Sequence, residues 1–257
     1  MKSMTPSGTW IAAAALCGIL SIWAPETALA DTLTPQQIVQ KMQNTISGFE
    51  DQTMEVTMTV KGVDGSTKSY DFTTRQKGTS KRLVRFTSGE MKGMATLVEG
   101  RSRVYVYLPG YKKVRRVASH AMNQSFAGSD FTTEDMASLD WVSLYDVALL
   151  KEDASHWYLN CKAKPDKKVS YSRVVLKVDK KDFQQDGIEY YDGDGKLVKT
   201  MENSHPKKYA NGRTRNSVVI VTDVRTGHST RLDIKDFRVN EGLPDSMFTV
   251  RQLQWGR

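Results

Sequence analysis

The sequence predicts a mainly β protein, a curved antiparallel sheet with helices packed on its concave side. Short alternating segments follow one another with turn residues between them, the pattern of hairpin-linked strands. Helical periodicity is confined to the start of the body and one stretch near the middle. No β–α–β alternation occurs, so a parallel sheet is not expected.

The chain opens with Met1-Lys2-Ser3-Met4, an apolar stretch from Trp10 to Ala24, and Ala28-Leu29-Ala30. A charged start, a short apolar segment and a small-x-small site form an export signal, with cleavage expected after Ala30 and a periplasmic product. The alternative, an uncleaved anchor, is disfavoured: the stretch is broken by Gly18 and Ser21 and falls short of the roughly 20 apolar residues a spanning helix needs. Cys17 follows Leu16 rather than a small residue, so no lipid anchor is expected there. Cys161 is then the lone cysteine, with no disulfide partner and no ligand spacing around it. It reads as a small buried hydrophobe. The expected organisation is a signal over residues 1–30 and one domain over 31–257.

The first element of the body is a helix. Thr34 is its N-cap, Pro35 takes the first helical position, and Gln37 completes a capping box. Ile38, Val39, Met42 and Ile46 form its apolar stripe, and Gly48 stops it. Met54, Val56, Met58 and Val60 then alternate with polar residues, marking a half-buried strand. Asp64-Gly65 turns the chain into a return strand over 68–77. Further strands are expected near 82–86, 95–98, 103–108 and 113–117. A polar loop over 119–132 leads to a short helix opening at Thr133, with helix continuing over Trp141–Leu150. Strands resume at 156–164, 172–180, 187–191, 196–203, 217–223 and 229–237. The tail from Pro244 to Leu253 reads as a helical turn and a strand.

The formal charge is +8, and loss of Lys2 and Glu26 with the signal leaves it there. Basicity of this size suits nucleic acid, anionic lipid or acidic proteins. Export argues against nucleic acid, leaving anionic membrane surfaces and acidic partners. Enzyme signatures are missing from the sequence. His120, His156, His205 and His228 are scattered with no metal-binding spacing, and no Gly-x-Ser-x-Gly elbow occurs. Asp192-Gly193-Asp194-Gly195 precedes a strand, so it is a turn rather than a phosphate loop, and it lacks the further ligands of a calcium loop. The adjacent Glu134 and Asp135 suit a helix N-terminus better than a catalytic pair. Neither catalysis nor a cofactor or metal is expected.

The most distinctive stretch runs from Arg101 to Asp135. It contains Tyr105-Val106-Tyr107-Leu108-Pro109, the basic Lys112-Lys113-Val114-Arg115-Arg116, and Ser125-Phe126-Ala127-Gly128-Ser129-Asp130-Phe131-Thr132-Thr133-Glu134-Asp135. Lys112, Lys113, Arg115 and Arg116 suit a solvated edge strand guarded against pairing. They equally suit a docking patch for an acidic partner or anionic head groups. This arrangement resembles the outer membrane lipoprotein-sorting protein family, the LolA-like periplasmic carriers. The resemblance implies an unclosed antiparallel β-barrel of the LolA/LolB kind, with helices as a lid over a hydrophobic cavity. It also implies a monomeric carrier or chaperone that shields acyl chains of lipoproteins or free lipid. The partners implied are an inner-membrane transporter and an outer-membrane acceptor. An alternative is an accessory or sensor protein of an envelope lipid exporter or stress-signalling complex.

A cavity needs inward apolar residues that neighbours leave partly unfilled. The candidates are Met54, Val56, Met58, Phe72, Val84 and Phe86, then Leu97, Tyr105 and Tyr107, with Met136 from the lid. The chain has 11 methionines, whose flexible side chains adapt to varied apolar ligands. Ordinary core packing would produce the same alternation.

Overall fold

The computed structural model describes Met1, residues 33–137 and residues 140–255. The export signal read over 1–30 lies outside the described residues. Helix α1 (Pro35–Ser47) begins at the expected capping box: the Thr34 amide donates to Gln37 Oε1 at 2.7 Å and the Gln37 amide donates to Thr34 Oγ1 at 3.2 Å. At its C-terminus a Cβ on Gly48 would meet the Asn44 carbonyl oxygen at 2.5 Å, so a side chain there collides with the last turn.

The strands are β1 (Asp51–Lys61), β2 (Thr67–Lys77), β3 (Lys81–Phe86), β4 (Ala95–Glu99), β5 (Arg103–Leu108) and β6 (Lys113–Arg116). Two short helices follow, α2 (Thr133–Ala137) and α3 (Trp141–Leu144). Then come β7 (Tyr145–Glu152), β8 (His156–Ala163), β9 (Arg173–Asp179), β10 (Gln185–Tyr191), β11 (Leu197–Lys208), β12 (Thr214–Asp223), β13 (Ser229–Val239) and helix α4 (Val250–Trp255). All thirteen strands form one sheet ordered β6-β5-β4-β3-β2-β1-β13-β12-β11-β10-β9-β8-β7. Two meanders are thus joined by the pairing of β1 with β13, and among the described residues β6 and β7 are the two free edges. Every paired neighbour is antiparallel, and the sheet does not close.

Bulges help to bend it. On β13, Phe237, Ile234 and Leu232 are buried or half-buried against the same cluster, although Phe237 and Ile234 are three residues apart. An extra residue opposite Glu55/Val56 allows this. Other register shifts fall at Leu149/Lys151, Gln185/Gly187 and Tyr190/Tyr191.

Three apolar clusters result. The stripe of α1, formed by Ile38, Val39 and Met42, packs on Leu159, Leu176 and Tyr190. The loop before α2 places Phe126 and Phe131 on a second cluster around Phe72 and Phe86. Its tight reversal holds Ala127 and Gly128 at positive φ, which glycine adopts without the Cβ clash that Ala127 bears, and it closes with the Ser129 amide donating to the Phe126 carbonyl. The third cluster lies on the opposite face of the sheet, where Phe248 and Leu253 of the C-terminal segment cover Leu83, Ala95 and Leu97.

Two expectations are corrected. Trp141–Leu150 is not one helix: it stops at Leu144, and β7 takes over because Tyr145 and Val147 alternate into the core while the backbone pairs with β8. The tail ends in α4 rather than a strand, with Leu253 of α4 and the preceding Phe248 packing on the sheet's outer face. Among the described residues no helix is long and apolar enough to cross a membrane.

Candidate functional site

Between the concave face and α1, α2 and α3 lies a cavity of about 230 Å³. Its apolar wall includes Met54 and Val56 of β1, Phe72 of β2, Met201 of β11, and Leu232 and Ile234 of β13. Met54, Met136, Met201, Val219 and Leu232 are only partly buried although they belong to the interior. Neighbouring side chains therefore leave this part of the concave face unfilled.

On β1, β2 and β3 the register grades the concave wall from polar to apolar. Gln52, Gln76 and Arg82 are paired in one row across β1, β2 and β3. The next inward row holds Met54, Thr74 and Val84, and the row after it Val56, Phe72 and Phe86. Arg215 belongs to the same end as Arg82. On β12, Thr222 faces Ser229 and Val218 faces Asp233, so Arg215 lies toward the Val239 end of β13, and Val239 pairs with Gln52.

Arg82 donates to Gln76 Oε1 through Nε (3.1 Å) and Nη2 (2.8 Å), and to the Met136 carbonyl of α2 through Nη1 at 2.7 Å. Arg215 donates to the Ile46 carbonyl of α1 at 3.4 Å and stacks over the Phe237 ring at 5.1 Å. Burial, with the Arg215 charge adding, pulls the Arg82 guanidinium down to about 10. Burial lowers Arg215 as well. Two further wall atoms, Gln52 Oε1 and Asn203 Oδ1, are buried without a hydrogen-bond partner among the described residues.

The carboxylates in the wall are already engaged. Asp135 accepts from Lys199 Nζ at 2.6 Å in a nearly buried pair, and from the Thr132 amide at 2.7 Å. Thr132 Oγ1 accepts from the Asp135 amide in return, a capping-box arrangement that starts α2. Lys199 also donates to Tyr171 Oη at 2.6 Å and sits over the Tyr190 ring. Glu134 binds Arg101 at 2.8 Å and accepts from the Ser170 amide and hydroxyl. Asp130 accepts from the Thr230 hydroxyl at 2.6 Å and lies 2.8 Å from His228 Nδ1. The distinctive acidic motif thus fastens the helical cover to β11, to β13 and to residues 101 and 170.

The sequence-derived candidates divide into three groups. Met54, Val56, Phe72 and Met136 border the cavity. Met58, Val84 and Phe86 face the same side but are fully packed, none exposing more than 1%. Leu97, Tyr105 and Tyr107 need correction: they belong to the outer face, under Phe248 and Leu253. Pairing carries them there, because Leu83, Leu97 and Tyr105 form one row opposite in parity to Val84 and Phe86. Arg82 and Arg215 escaped the sequence reading because charge on a strand reads as solvent-facing. The available signal was parity, since Arg82 shares a face with Val84 and Phe86.

Lys112, Lys113, Arg115 and Arg116 lie on the free edge β6 or just before it and are exposed. Among the described residues none of them forms an ion pair; Arg116 reaches only the Ser102 carbonyl at 3.4 Å. Cys161 is fully buried beneath α1, and burial pushes its thiol up to about 12. The fold also brings together His156, Asp179 and Asp186, each with one ligand-type atom within 4.8 Å of the others. Each has a partner of its own: His156 and Asp186 bind one another, Asn216 donates to Asp186, and Asp179 accepts from the amides of Lys181 and Asp182.

A search of curated proteins finds no match. Among solved structures, an outer membrane lipoprotein-sorting protein domain from Vibrio parahaemolyticus superposes with a TM-score of 0.76 at 26% identity, over 86% of this chain and 98% of that one. A DUF1329 family protein from Desulfovibrio piger gives 0.79 at 26% identity, over 86% and 100%. A LolA superfamily protein from Nitrosomonas europaea gives 0.72 at 23% identity, over 86% and 100%. A family model described as "Uncharacterized protein" matches residues 78–255, from the turn before β3 into α4. The chain belongs to the family of that model, and its mainly β, unclosed antiparallel sheet is the fold of the LolA-like lipoprotein-sorting domains.

Proposed function

We propose that this protein is a periplasmic carrier that shields acyl chains, of lipoproteins or of free lipid, on their way across the cell envelope. One observation carries the reading: apolar side chains on the concave face, Met54, Met201, Val219 and Leu232 among them, are left partly uncovered inside the molecule. An acyl chain in water forfeits about 0.8 kcal/mol per CH₂, so moving it between membranes calls for such a hollow. The present volume is below the roughly 300–1,000 Å³ of typical ligand pockets, so loading requires the cover of α2 and its preceding loop to shift. Likeness to the Vibrio lipoprotein-sorting domain supports the same reading.

The test is uptake of a fluorescent fatty-acyl probe by purified protein at micromolar concentration. Filling the hollow with Met54→Trp or Leu232→Trp is expected to weaken binding about tenfold or more, whereas Tyr111→Glu, at an exposed position away from the cavity wall, leaves it unchanged. Absence of probe binding to the wild-type protein would remove the carrier reading.

A second feature supports docking to an envelope partner. The exposed basic strand β6 is an edge of the sheet, and among the described residues its cations form no ion pair. Its charges suit an acidic protein surface or anionic head groups. Reversing all four (Lys112→Glu, Lys113→Glu, Arg115→Glu, Arg116→Glu) is expected to abolish sedimentation with its envelope partner or with anionic vesicles while probe uptake persists. Loss of uptake as well would place the strand at the cavity mouth instead.

A further inference from the structure

We propose that Arg82 and Arg215 form an anion subsite at one end of the cavity, taking the carboxylate or phosphate head of a single-chain amphiphile whose tail lies in the apolar hollow. The proposal rests on the carrier reading and adds the chemistry of the ligand's head.

The argument begins with charge. Both guanidinium groups border the cavity, and among the described residues neither forms an ion pair. Their hydrogen bonds go to the Gln76 amide and to the carbonyls of Met136 and Ile46, all uncharged acceptors. Among the described residues the only carboxylates in the wall, Glu134 and Asp135, are held by Arg101 and Lys199. The cavity wall therefore carries two uncompensated positive charges. Interior charge without a counter-ion is costly, and each arginine weakens the charged form of the other. A ligand anion would offset both, through the planar, bidentate geometry that guanidinium offers to carboxylate and phosphate.

Register supplies the second argument. Both arginines belong to the same end of the concave face, in or beside the Gln52–Gln76–Arg82 row. Apolar rows follow, through Met54 to Val56 and Phe72. A polar head and an apolar tail laid along this gradient each meet their own kind of surface. Gln52 Oε1, a buried acceptor lacking a partner among the described residues, stands at the same end and suits a hydroxyl or protonated oxygen on the head. With about 230 Å³ present before the cover shifts, one chain requires a smaller displacement of α2 than several would.

The experiment compares ligands that share a twelve-carbon-class tail and differ in the head: dodecanoate, dodecyl phosphate, dodecanol and dodecyltrimethylammonium, with inorganic phosphate as a separate arm. Dissociation constants are measured on the purified protein by displacement of the acyl probe. Dodecanoate and dodecyl phosphate are expected to bind about tenfold or more tighter than dodecanol, with the cationic amphiphile weakest and inorganic phosphate far weaker than its dodecyl ester. Arg82→Met and Arg215→Met should bring the acids down toward the alcohol while leaving dodecanol binding in place. Arg82→Lys and Arg215→Lys should keep most of the preference for acids. Equal binding of acid and alcohol by the wild-type protein would overturn the subsite and leave the carrier reading standing. Failure of every amphiphile would overturn both. Inorganic phosphate binding as tightly as dodecyl phosphate would also overturn the proposal, since the tail would then contribute nothing.

Discussion

Asp135→Ala is expected to destabilise the protein by about 3 kcal/mol or more, the range for breaking a buried ion pair. The pair it removes is nearly sealed: the Lys199 and Asp135 side chains retain 7% and 11% of their exposure. Lys199 would keep Tyr171 Oη and the Asp130 carbonyl, neither of which carries a charge. The same change deletes the acceptor for the Thr132 amide, so the start of α2 loses its cap. Hydrogen exchange over residues 122–137 should therefore accelerate more than exchange in the central strands, because the cover loses its anchor while the sheet keeps its ladder. The comparison variant is Glu90→Gln, which breaks the Lys68–Glu90 pair, exposed by 61% and 75%. Exposed pairs contribute about 0–1 kcal/mol. Equal effects of the two substitutions in a denaturant titration would show that the Asp135–Lys199 contact does not hold the cover.

Phe86→Ala is expected to cost about 3–5 kcal/mol, the range for emptying a packed aromatic site. Phe86 is 1% exposed and contacts three rings, Tyr70 at 6.1 Å, Phe72 at 5.5 Å and Phe126 at 6.0 Å between centroids. For a domain of this size the melting temperature should fall by roughly 6–20 °C. Met54→Ala, two strands away but bordering the hollow, should cost clearly less, because part of its surface already lacks neighbours. A scan of both variants by calorimetry separates filled from unfilled portions of the concave face. Similar losses at the two positions would mean that Met54 is packed as tightly as Phe86.

These two residues also show how far alternation can be read. Met54 and Phe86 look alike in the sequence, each apolar at every second position of a strand. Their difference lies in what faces them: Phe126 descends from the loop before α2 onto Phe86, while the half-buried Met54 borders the cavity. Leu97, Tyr105 and Tyr107 show the same limit in another form. In β4 four consecutive residues, Ala95 to Val98, are buried, because the C-terminal segment covers the face that would otherwise meet solvent. With both faces apolar, alternation no longer distinguishes inside from outside.

Local chemistry alone determined the N-terminal start of α1, the Asp64-Gly65 reversal, the succession of strands and the absence of β–α–β units, since caps, tight turns and period-two patterns act within a few residues. The resemblance carried by residues 101–135 pointed to an unclosed barrel, and the observed sheet has that form. Tertiary structure decided the rest. Pairing of β1 with β13 joined the two meanders, a bulge at β13 set the parity of the concave wall, and the C-terminal helix turned an outer face into a second core. It also placed Arg82 and Arg215 at one end of a hollow, although they are far apart in the chain. The physical reason is that a strand's alternation is the same whichever face turns inward, so only long-range pairing and covering segments assign the faces.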